Sequence, residues 1–238
     1  MALVVTNDRI ADNVYRLTAR LQRGEGHGRM GQFYMLRAWR DYPVLPRPIS
    51  IHDIEEDGVA FLYRIHGEGT RLFASLQPGD ELHLEGPFGN GFPEVKGRIA
   101  LVGGGIGIAP LLYAARQLPG AHAYLGFTAQ PMCVDSFEAL AARCIVSIGG
   151  TIVDRIDPEA YDAVLACGPA PMLRALRDRL ANSPARLFVS IERRMACGIG
   201  ACYACSMPDP IGGKNRQACK DGPVFEAKEV DWDALDCL

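Results

Sequence analysis

The hydrophobic pattern of the first ninety residues is typical of β-structure. Short runs, several of them alternating apolar with polar residues, are separated by turns rich in Gly, Pro or Asp. They predict strands at 14–19, 33–37, 49–52, 59–65 and 81–85, and only one short helix, at 70–76. This succession of short strands favours a small antiparallel β-barrel.

The pattern changes after a connector rich in Gly and Pro at residues 86–93. Apolar runs then predict strands at 98–102, 123–127, 164–166 and 187–191, alternating with helices at 111–118, 137–142 and 172–180. Such alternation favours an open parallel α/β sheet. We therefore predict a multidomain β plus α/β protein, with a barrel at 1–93, an α/β domain at 94–185 and a small C-terminal module at 186–238.

Composition narrows the class of protein further. The chain of 238 residues is 48% hydrophobic and 22% charged, with a net charge of −3 and with acids and bases interspersed, so nothing in the composition indicates a nucleic-acid partner. Residues 99–115 carry no charge, but their glycines and Pro110 indicate a strand, a turn and a buried helix instead of a membrane span. The first residues do not resemble a secretion signal, and we expect a cytoplasmic protein.

The C-terminal module contains five cysteines, and the spacing of the first four restricts its chemistry. Cys197, Cys202 and Cys205 lie within nine residues, and Cys219 follows after thirteen more. This C-x4-C-x2-C…C spacing is the one that plant-type 2Fe-2S sites use. Gly and Ala residues between the ligands allow the backbone to direct N–H groups at sulfur, which would raise the reduction potential of a cluster.

Two other chemistries use four cysteines. A structural zinc site usually has two separate C-x2–4-C pairs, whereas three of these cysteines share one loop. Two disulfides would suit a secreted chain. The remaining cysteines are scattered singly, and we expect them to be small buried side chains: Cys133, Cys144, Cys167 and Cys237.

Four further segments indicate sites for a phosphate-containing ligand. The Arg47–Ser50 segment places a permanent cation beside a proline-stiffened strand, and Gly69 and Thr70 follow the next strand. A glycine turn at 103–110 and a second turn at 167–172 each join a strand to a helix, so they could flank one ligand at the carboxyl edge of the sheet. Taken singly, Arg47 is also compatible with a surface charge and Gly69 with a simple turn, and the two later turns are also compatible with ordinary tight loops between strand and helix.

Taken together, these motifs resemble the ferredoxin–NADP reductase superfamily, and within it the electron-transfer subunits of type B dihydroorotate dehydrogenases. The resemblance covers nearly the whole chain in order and rests on residues 47–50, 63–70, 86–92, 103–110, 167–172 and 192–225. It implies an FAD-binding barrel, a pyridine-nucleotide-binding α/β domain and a C-terminal 2Fe-2S module.

The resemblance also implies roles for particular residues. FAD would be held by Arg47, Pro48, Ile49, Ser50, Leu62, Tyr63, Arg64, Gly69 and Thr70. The nicotinamide pocket, with NAD as electron acceptor, would be lined by Gly103, Gly104, Gly105, Gly107, Cys167, Gly168, Pro169 and Met172. The cluster would be ligated by Cys197, Cys202, Cys205 and Cys219. The chain departs from the family at Ala204, where Gly is common, and in a shortened 144–153 segment, which bears on the choice between NAD and NADP.

The function that the resemblance implies is an electron relay. Electrons would pass from the FMN of a separate dihydroorotate dehydrogenase subunit through the cluster and FAD to NAD+, in a heterotetramer of two relay and two catalytic subunits. No paired carboxylates or activated Cys or Ser demand a catalytic role in this chain. Two alternatives are an NAD(P)H-dependent reductase subunit serving ferredoxin, sulfur species or a hydrogenase, and a zinc-stabilised interaction protein with a degenerate reductase fold.

Overall fold

The N-terminal part of the chain forms a closed six-stranded barrel. A computed structural model describes residues 1–21, 28–56 and 58–236. The strands pair in the order β1-β2-β5-β4-β3-β6, all antiparallel. Their bounds are β1 Ala2–Ala11, β2 Val14–Arg20, β3 Phe33–Arg37, β4 Arg47–Glu55, β5 Gly58–Arg64 and β6 Glu81–Phe88, with one helix, α1, at Glu68–Ala74.

The predicted barrel is confirmed, but its first strand was not predicted. Alternate residues of β2 and β5, such as Leu17, Phe61 and Tyr63, fill the barrel interior. Residues 6–9 of β1 read Thr-Asn-Asp-Arg and are partly or fully exposed, so the hydrophobic signal that marks the other strands is missing there. Pairing with β2 along most of its length, rather than its own apolar residues, defines β1.

The second part of the chain is an open α/β sheet, as predicted. Six strands pair in the order β14-β11-β10-β7-β8-β9, all parallel except β14. The bounds are β7 Ile99–Gly104, α2 Ala109–Gln117, β8 His122–Phe127, α3 Val134–Leu140, β9 Arg143–Ile148, β10 Ala163–Cys167, α4 Ala170–Arg179, β11 Arg186–Ser190, β12 Ser206–Met207, β13 Arg216–Gln217 and β14 Val224–Glu226. The helix expected at 137–142 begins and ends earlier, because β9 starts at Arg143.

The C-terminal cysteine segment leaves this sheet and returns to it. β11 continues the parallel sheet beside β10, the chain then forms the cysteine loop and the β12–β13 hairpin, and β14 pairs antiparallel with β11. The expected domain boundary at residue 185 therefore falls just before a strand that shares the sheet. The cysteine loop is thus anchored at both ends by one sheet.

The barrel and the sheet meet where β4 packs against α2. The fully buried His52 donates a hydrogen bond from Nδ1 to the Ala109 carbonyl at 2.7 Å, and Arg116 binds the carboxylate of Asp53 through two hydrogen bonds. These contacts fix the barrel relative to the sheet. Within the described residues, every helix is too short or too polar to traverse a lipid bilayer.

Candidate functional site

Strands β4 and β5 of the closed barrel diverge at the residues predicted to hold FAD, and this divergence leaves an opening in the barrel wall. From Ile51 onward β4 pairs with β5, whereas residues 47–50 pair with β3 and residues 62–64 pair with β2. The described ladders contain no pairing between 47–50 and 62–64. Backbone N–H and C=O groups on the facing edges are therefore left for a ligand. The four side chains from Arg47 to Ser50 are only partly buried.

Arg47 lies beside the start of α1, at Gly69. Any larger residue at position 69 would force the side chains of Arg47 and Trp39 to move. The Arg47 guanidinium lies 5.4 Å from the centre of the Trp39 ring. A Cβ atom at Gly69 would come within 2.8 Å of both Arg47 Nε and Trp39 Cη2. The absence of a side chain at Gly69 thus allows a permanent cation to lie directly over the backbone, where it can pair with a phosphate.

Three of the residues predicted for FAD are already engaged within the protein. The side chains of Leu62 and Tyr63 are buried, and the Tyr63 hydroxyl donates to Asn7 Oδ1 at 3.0 Å. The Thr70 hydroxyl accepts a hydrogen bond from the His66 backbone N–H at 2.9 Å, which shapes the turn before α1. Only the main-chain atoms of Leu62 and Tyr63 are therefore available to a flavin. FAD binding by the nine predicted residues stays a prediction.

The two glycine turns predicted to line the nicotinamide pocket are brought into direct contact. β7 and β10 are neighbours, with Gly103 opposite Cys167. A Cβ atom at Gly107 would lie 2.4 Å from the Cys167 carbonyl oxygen, and one at Gly104 would lie 2.5 Å from Met172 Sδ. The turns form one surface at the carboxyl edge of the sheet, the place where open α/β sheets bind ligands. Binding of NAD there stays a prediction.

Gly105 and Gly168 adopt the backbone conformations that favour glycine in these turns, with φ of +55° and +159°. Pro169 then precedes α4, which begins at Ala170. Beyond β9, the shortened segment turns at Gly149, with φ of +70°, and enters a short 3₁₀ turn at Ile152–Arg155.

Arg64 connects the flavin opening with the nucleotide turn. Its Nη2 atom lies 3.9 Å from the position of a Cβ at Gly105, and its charge acts on the Glu192 carboxylate. Glu192 is exposed, yet enough protein surrounds its carboxyl group for desolvation to raise its pKa, while Arg64 opposes that shift. Arg64 and Glu192 are therefore near enough to interact, and Glu192 also acts on Cys167 in the second turn.

The Cys167 thiol lies at the end of β10, within the second turn. Burial is the main cause that raises its pKa, the charge of Glu192 adds to it, and a hydrogen bond with Ser190 opposes it. Cys167 is 3% exposed, as expected for a small buried side chain. It is held as a neutral thiol near neutral pH.

The cysteine loop turns sharply and packs against the barrel. Gly198, Gly200 and Tyr203 have positive φ angles of 75°, 82° and 59°. A Cβ atom at Gly198 would lie 2.7 Å from Met35 Cγ, so glycine permits close packing of the loop against β3. Cys205 and Cys219 are 2% exposed in a small apolar cluster with Phe33 and Met35.

The four predicted cluster ligands converge as two pairs. The Cys202 side chain lies close enough to Cys197 to lower the pKa of that thiol, and the Cys205 side chain lies close enough to Cys219 to raise the pKa of that one. In the part of the chain that the structure describes, no three side chains of His, Cys, Asp or Glu are grouped around a single metal-ion position. Two pairs of thiols suit a cluster of two irons, each with two cysteine ligands.

Backbone N–H groups point at the sulfur atoms, as the glycine-rich loop predicts. Gly200 N–H donates to Cys219 Sγ at 3.1 Å, Ala201 N–H to Cys197 Sγ at 3.3 Å and Cys219 N–H to Cys205 Sγ at 3.4 Å. Although desolvation acts in the opposite direction, N–H groups including those of Ile199 and Cys202 lower the pKa of Cys197 to about 6. Burial, and next the Cys205 sulfur, raise the pKa of Cys219 to about 12.

The other cysteines match the expectation only in part. Cys133 and Cys144 are partly exposed, because they lie at the edge of the core and not inside it, which corrects the prediction that they are buried. Cys237 lies outside the described residues. The seven described cysteines are all free thiols, so the disulfide alternative is not adopted.

Two residues of the site were not predicted as such. Gln217 contacts the cysteine loop through its side chain, and the pKa of Glu192 is influenced by the charge of Arg64. Both residues lie close in sequence to predicted cluster ligands, and this proximity was the only feature of the sequence that could have indicated a role for them in the site. Their partners, however, are set by the β12–β13 hairpin and by the approach of barrel and sheet, which the sequence pattern does not specify.

Comparisons with known proteins agree with this geometry. The iron-sulfur cluster binding domain of dihydroorotate dehydrogenase B matches residues 192–231. The dihydroorotate dehydrogenase B (NAD(+)) electron transfer subunits of Clostridium acetobutylicum and Caldanaerobacter subterraneus subsp. tengcongensis are 40% and 38% identical, over 95% and 96% of this chain and 95% and 97% of theirs. A chain solved in the structure of NADH-dependent reduced ferredoxin-NADP oxidoreductase is 28% identical, with a TM-score of 0.88 over 99% of this chain and 91% of that one.

Barrel, sheet and cysteine loop together define a flavin- and iron–sulfur-dependent oxidoreductase of the ferredoxin–NADP reductase type. The two electron transfer subunits are well over 30% identical across almost the whole chain. The chain belongs to the family of dihydroorotate dehydrogenase B electron transfer subunits.

Proposed function

We propose that this chain is the electron-transfer subunit of an NAD-dependent dihydroorotate dehydrogenase that serves pyrimidine (UMP) biosynthesis. The net reaction removes two electrons and two protons from dihydroorotate to give orotate, and forms NADH from NAD+ with release of one proton. Dihydroorotate would be oxidised at the FMN of a separate catalytic subunit. The observation that carries the proposal is the convergence of four thiols beside a barrel opening that faces a nucleotide turn.

The chain's own residues would bind and orient two cofactors and the electron acceptor. Bound FAD would supply the conversion between two-electron exchange with a nicotinamide and one-electron exchange with a 2Fe-2S cluster. The diverging strands 47–50 and 62–64, with Arg47 held over Gly69, would bind the FAD. The turns at 103–107 and 167–172 would bind NAD+.

The four cysteines would hold the cluster, with their N–H donors directed at sulfur. This division of roles leaves the proton abstraction from dihydroorotate to the partner, and we assign no catalytic residue to this chain.

The exposed side of the cysteine loop supports contact with that partner. Cys202 is exposed, and the neighbouring apolar residues Ile199 and Tyr203 are 60% and 64% exposed. Large apolar side chains that surround an exposed ligand are typical of an interaction surface. We infer that this loop faces the FMN-containing subunit, in an assembly of two subunits of each kind. Because iron-binding thiols suit a reducing compartment, we place the assembly in the cytoplasm.

The first experiment establishes the cofactors. An anaerobic visible spectrum, with iron, acid-labile sulfide and flavin analysis, should show one cluster and one FAD per chain, both reduced by NADH. A colourless protein that carries zinc would instead support the zinc-stabilised interaction protein.

The second experiment tests the relay in the assembled enzyme. Cys202→Ala should abolish dihydroorotate:NAD+ activity and leave reduction of an artificial acceptor at the FMN subunit unchanged. Cys133→Ala, which removes a thiol far from the loop in sequence and also only partly buried, is the matched control. Equal loss of both activities in Cys202→Ala, with the two subunits still assembled, would contradict a relay.

A second candidate function is favoured by one observation. The chain matches almost the whole of a solved chain from an NADH-dependent reduced ferredoxin-NADP oxidoreductase. The alternative is therefore an NAD(P)H-dependent reductase subunit that serves ferredoxin, sulfur species or a hydrogenase. Isolation of the native assembly separates the two, because only the first proposal requires an FMN-containing dihydroorotate dehydrogenase in stoichiometric amount.

A further inference from the structure

One peptide group of the cysteine loop is held from both sides. Gln217 Nε2 donates to the Gly200 carbonyl oxygen at 2.8 Å. The N–H of the same peptide group, which belongs to Ala201, donates to Cys197 Sγ at 3.3 Å. Because the C=O and N–H of a trans peptide point in opposite directions within one plane, the contact with Gln217 fixes the direction in which the Ala201 N–H points.

Gln217 is itself rigidly placed. It is 5% exposed, and its backbone N–H donates to Asp221 Oδ2 at 2.7 Å. Its carbonyl accepts hydrogen bonds from the backbone N–H groups of Lys220 and Asp221, at 3.0 and 2.8 Å. The turn closed by these bonds also carries Cys219. Gln217 therefore links the turn that carries Cys219 to the loop that carries Cys197, Cys202 and Cys205.

Gly200 makes this contact possible. Its φ of +82° favours glycine, and a Cβ atom there would lie 2.8 Å from Lys220 Cδ and 3.1 Å from Gln217 Oε1. The loop and the turn are thus packed together at the peptide that Gln217 holds. Hydrogen bonds in a chain polarise one another, so the Gln217 amide also strengthens the N–H as a donor to sulfur.

We propose that Gln217 is a positioning residue that sets the reduction potential of the 2Fe-2S cluster through the Gly200–Ala201 peptide. An N–H group directed at a ligand sulfur stabilises the reduced cluster, which carries the extra electron. Loss of the Gln217 amide frees that peptide to rotate and weakens one such bond. The reduced cluster then becomes harder to form. The inference rests on the cluster-binding part of the proposed function.

The test is Gln217→Met, which keeps the length of the side chain and removes the donor. The cluster potential is measured by an EPR-monitored redox titration of the cluster- and FAD-loaded chain. We expect a negative shift in which the ratio of reduced to oxidised cluster at a fixed potential falls by up to about tenfold, equivalent to about 59 mV for one electron. The exchangeable-proton coupling assigned to the Ala201 N–H in ENDOR spectra of the reduced cluster should also become smaller.

Asn90→Ala is the matched control. Asn90 Nδ2 donates to the carbonyls of Lys220 and Asp221, so it supports the same turn without touching the Gly200–Ala201 peptide. The cluster in the Asn90→Ala variant should have the same reduction potential as the cluster in the unaltered chain. An equal shift in both variants would mean that any loosening of the turn changes the potential, and would overturn the proposal.

A second variant keeps the proposal testable if Gln217→Met does not assemble a cluster. Gln217→Glu has the same shape but no amide donor, and its ENDOR coupling from the Ala201 N–H should be smaller than in the unaltered chain. An unchanged coupling would overturn the inference. Failure of the proposed function is distinguishable, because the unaltered chain would then contain no iron or sulfide at all.

Discussion

Arg116 binds the buried carboxylate of Asp53 through two hydrogen bonds, from Nε to Oδ1 at 2.8 Å and from Nη2 to Oδ2 at 2.6 Å. The Asp53 side chain is 3% exposed and that of Arg116 is 44% exposed. The hydrogen bond to Asp53 raises the pKa of Arg116. This pair joins α2 of the sheet to β4 of the barrel, and Asp53 lies three residues beyond Ser50, where the segment predicted to bind FAD ends.

Removal of the arginine should destabilise the chain strongly. Arg116→Met leaves a buried carboxylate without its partner, and we expect a loss of about 3 kcal/mol in the free energy of unfolding. Denaturant unfolding of the loaded chain measures this loss. Arg9→Met, which breaks the exposed Arg9–Asp12 pair, should cost less than about 1 kcal/mol. Similar losses in the two variants would show that the Asp53–Arg116 pair contributes no more to stability than an exposed ion pair.

His52 should make stability depend on pH. Burial lowers its pKa from 6.5 to about 4, so the folded chain keeps His52 neutral while the unfolded chain takes up a proton. A lowered folded-state pKa means that its contribution is present above pH 6.5 and is lost as the pH falls towards 4. Linkage gives a loss of about 2 kcal/mol between pH 7 and pH 5.

The variant His52→Gln isolates that contribution. A glutamine amide can still donate to the Ala109 carbonyl but does not titrate. The difference in unfolding free energy between the unaltered chain and His52→Gln should therefore change by about 2 kcal/mol from pH 7 to pH 5. A constant difference between the unaltered chain and His52→Gln would contradict the assignment.

Two glycines at the start of α1 should differ in their effect on FAD. A methyl group at Gly69 collides with Arg47 Nε and Trp39, whereas a methyl group at Gly67 meets open space in extended backbone. We expect Gly69→Ala to weaken FAD binding about tenfold, or about 1.4 kcal/mol. Gly67→Ala should bind FAD normally. Flavin titration of the apo-flavin chain measures both, and equal affinities would exclude Arg47 from the site.

The nucleotide turn offers a similar comparison. A methyl group at Gly107 would lie 2.4 Å from the Cys167 backbone oxygen, which cannot move without the strand. At Gly104 the nearest atom is the flexible thioether of Met172. Gly107→Ala should therefore destabilise the chain by about 1–3 kcal/mol and weaken NADH binding, and Gly104→Ala should do so less. Thermal unfolding and the rate of flavin reduction by NADH provide the measurements. The reverse order would show that the turns do not pack as described.

The sequence predicted what depends on local pattern and spacing. Five of the six barrel strands, the alternation of the sheet and the four predicted cysteine ligands all come from short segments read one at a time. The two-by-two pairing of Cys197 with Cys202 and of Cys205 with Cys219 needed the fold of the loop. Strand β1 could not be predicted either, because its central residues are polar and the strand is defined by its pairing with β2.

Contacts between distant segments account for the rest. The divergence of β4 from β5 arises because residues 47–50 pair with β3, and strand register of this kind is set by the whole barrel. The approach of Arg64 to Gly105 and Glu192 likewise depends on how β4 packs on α2. A chain pattern read from one end to the other contains neither relationship.

The antiparallel return of β14 to β11 has a consequence for attempts to separate the cysteine loop from the reductase. Deletion of everything after Ser190 would uncover the hydrogen-bonding edge of β11, which includes the buried residues Phe188 and Val189. Uncovered, apolar edges recruit other chains. A simple truncation would therefore yield aggregates instead of a smaller flavoprotein, whereas a connection that still joined β11 to β14 would keep this edge covered.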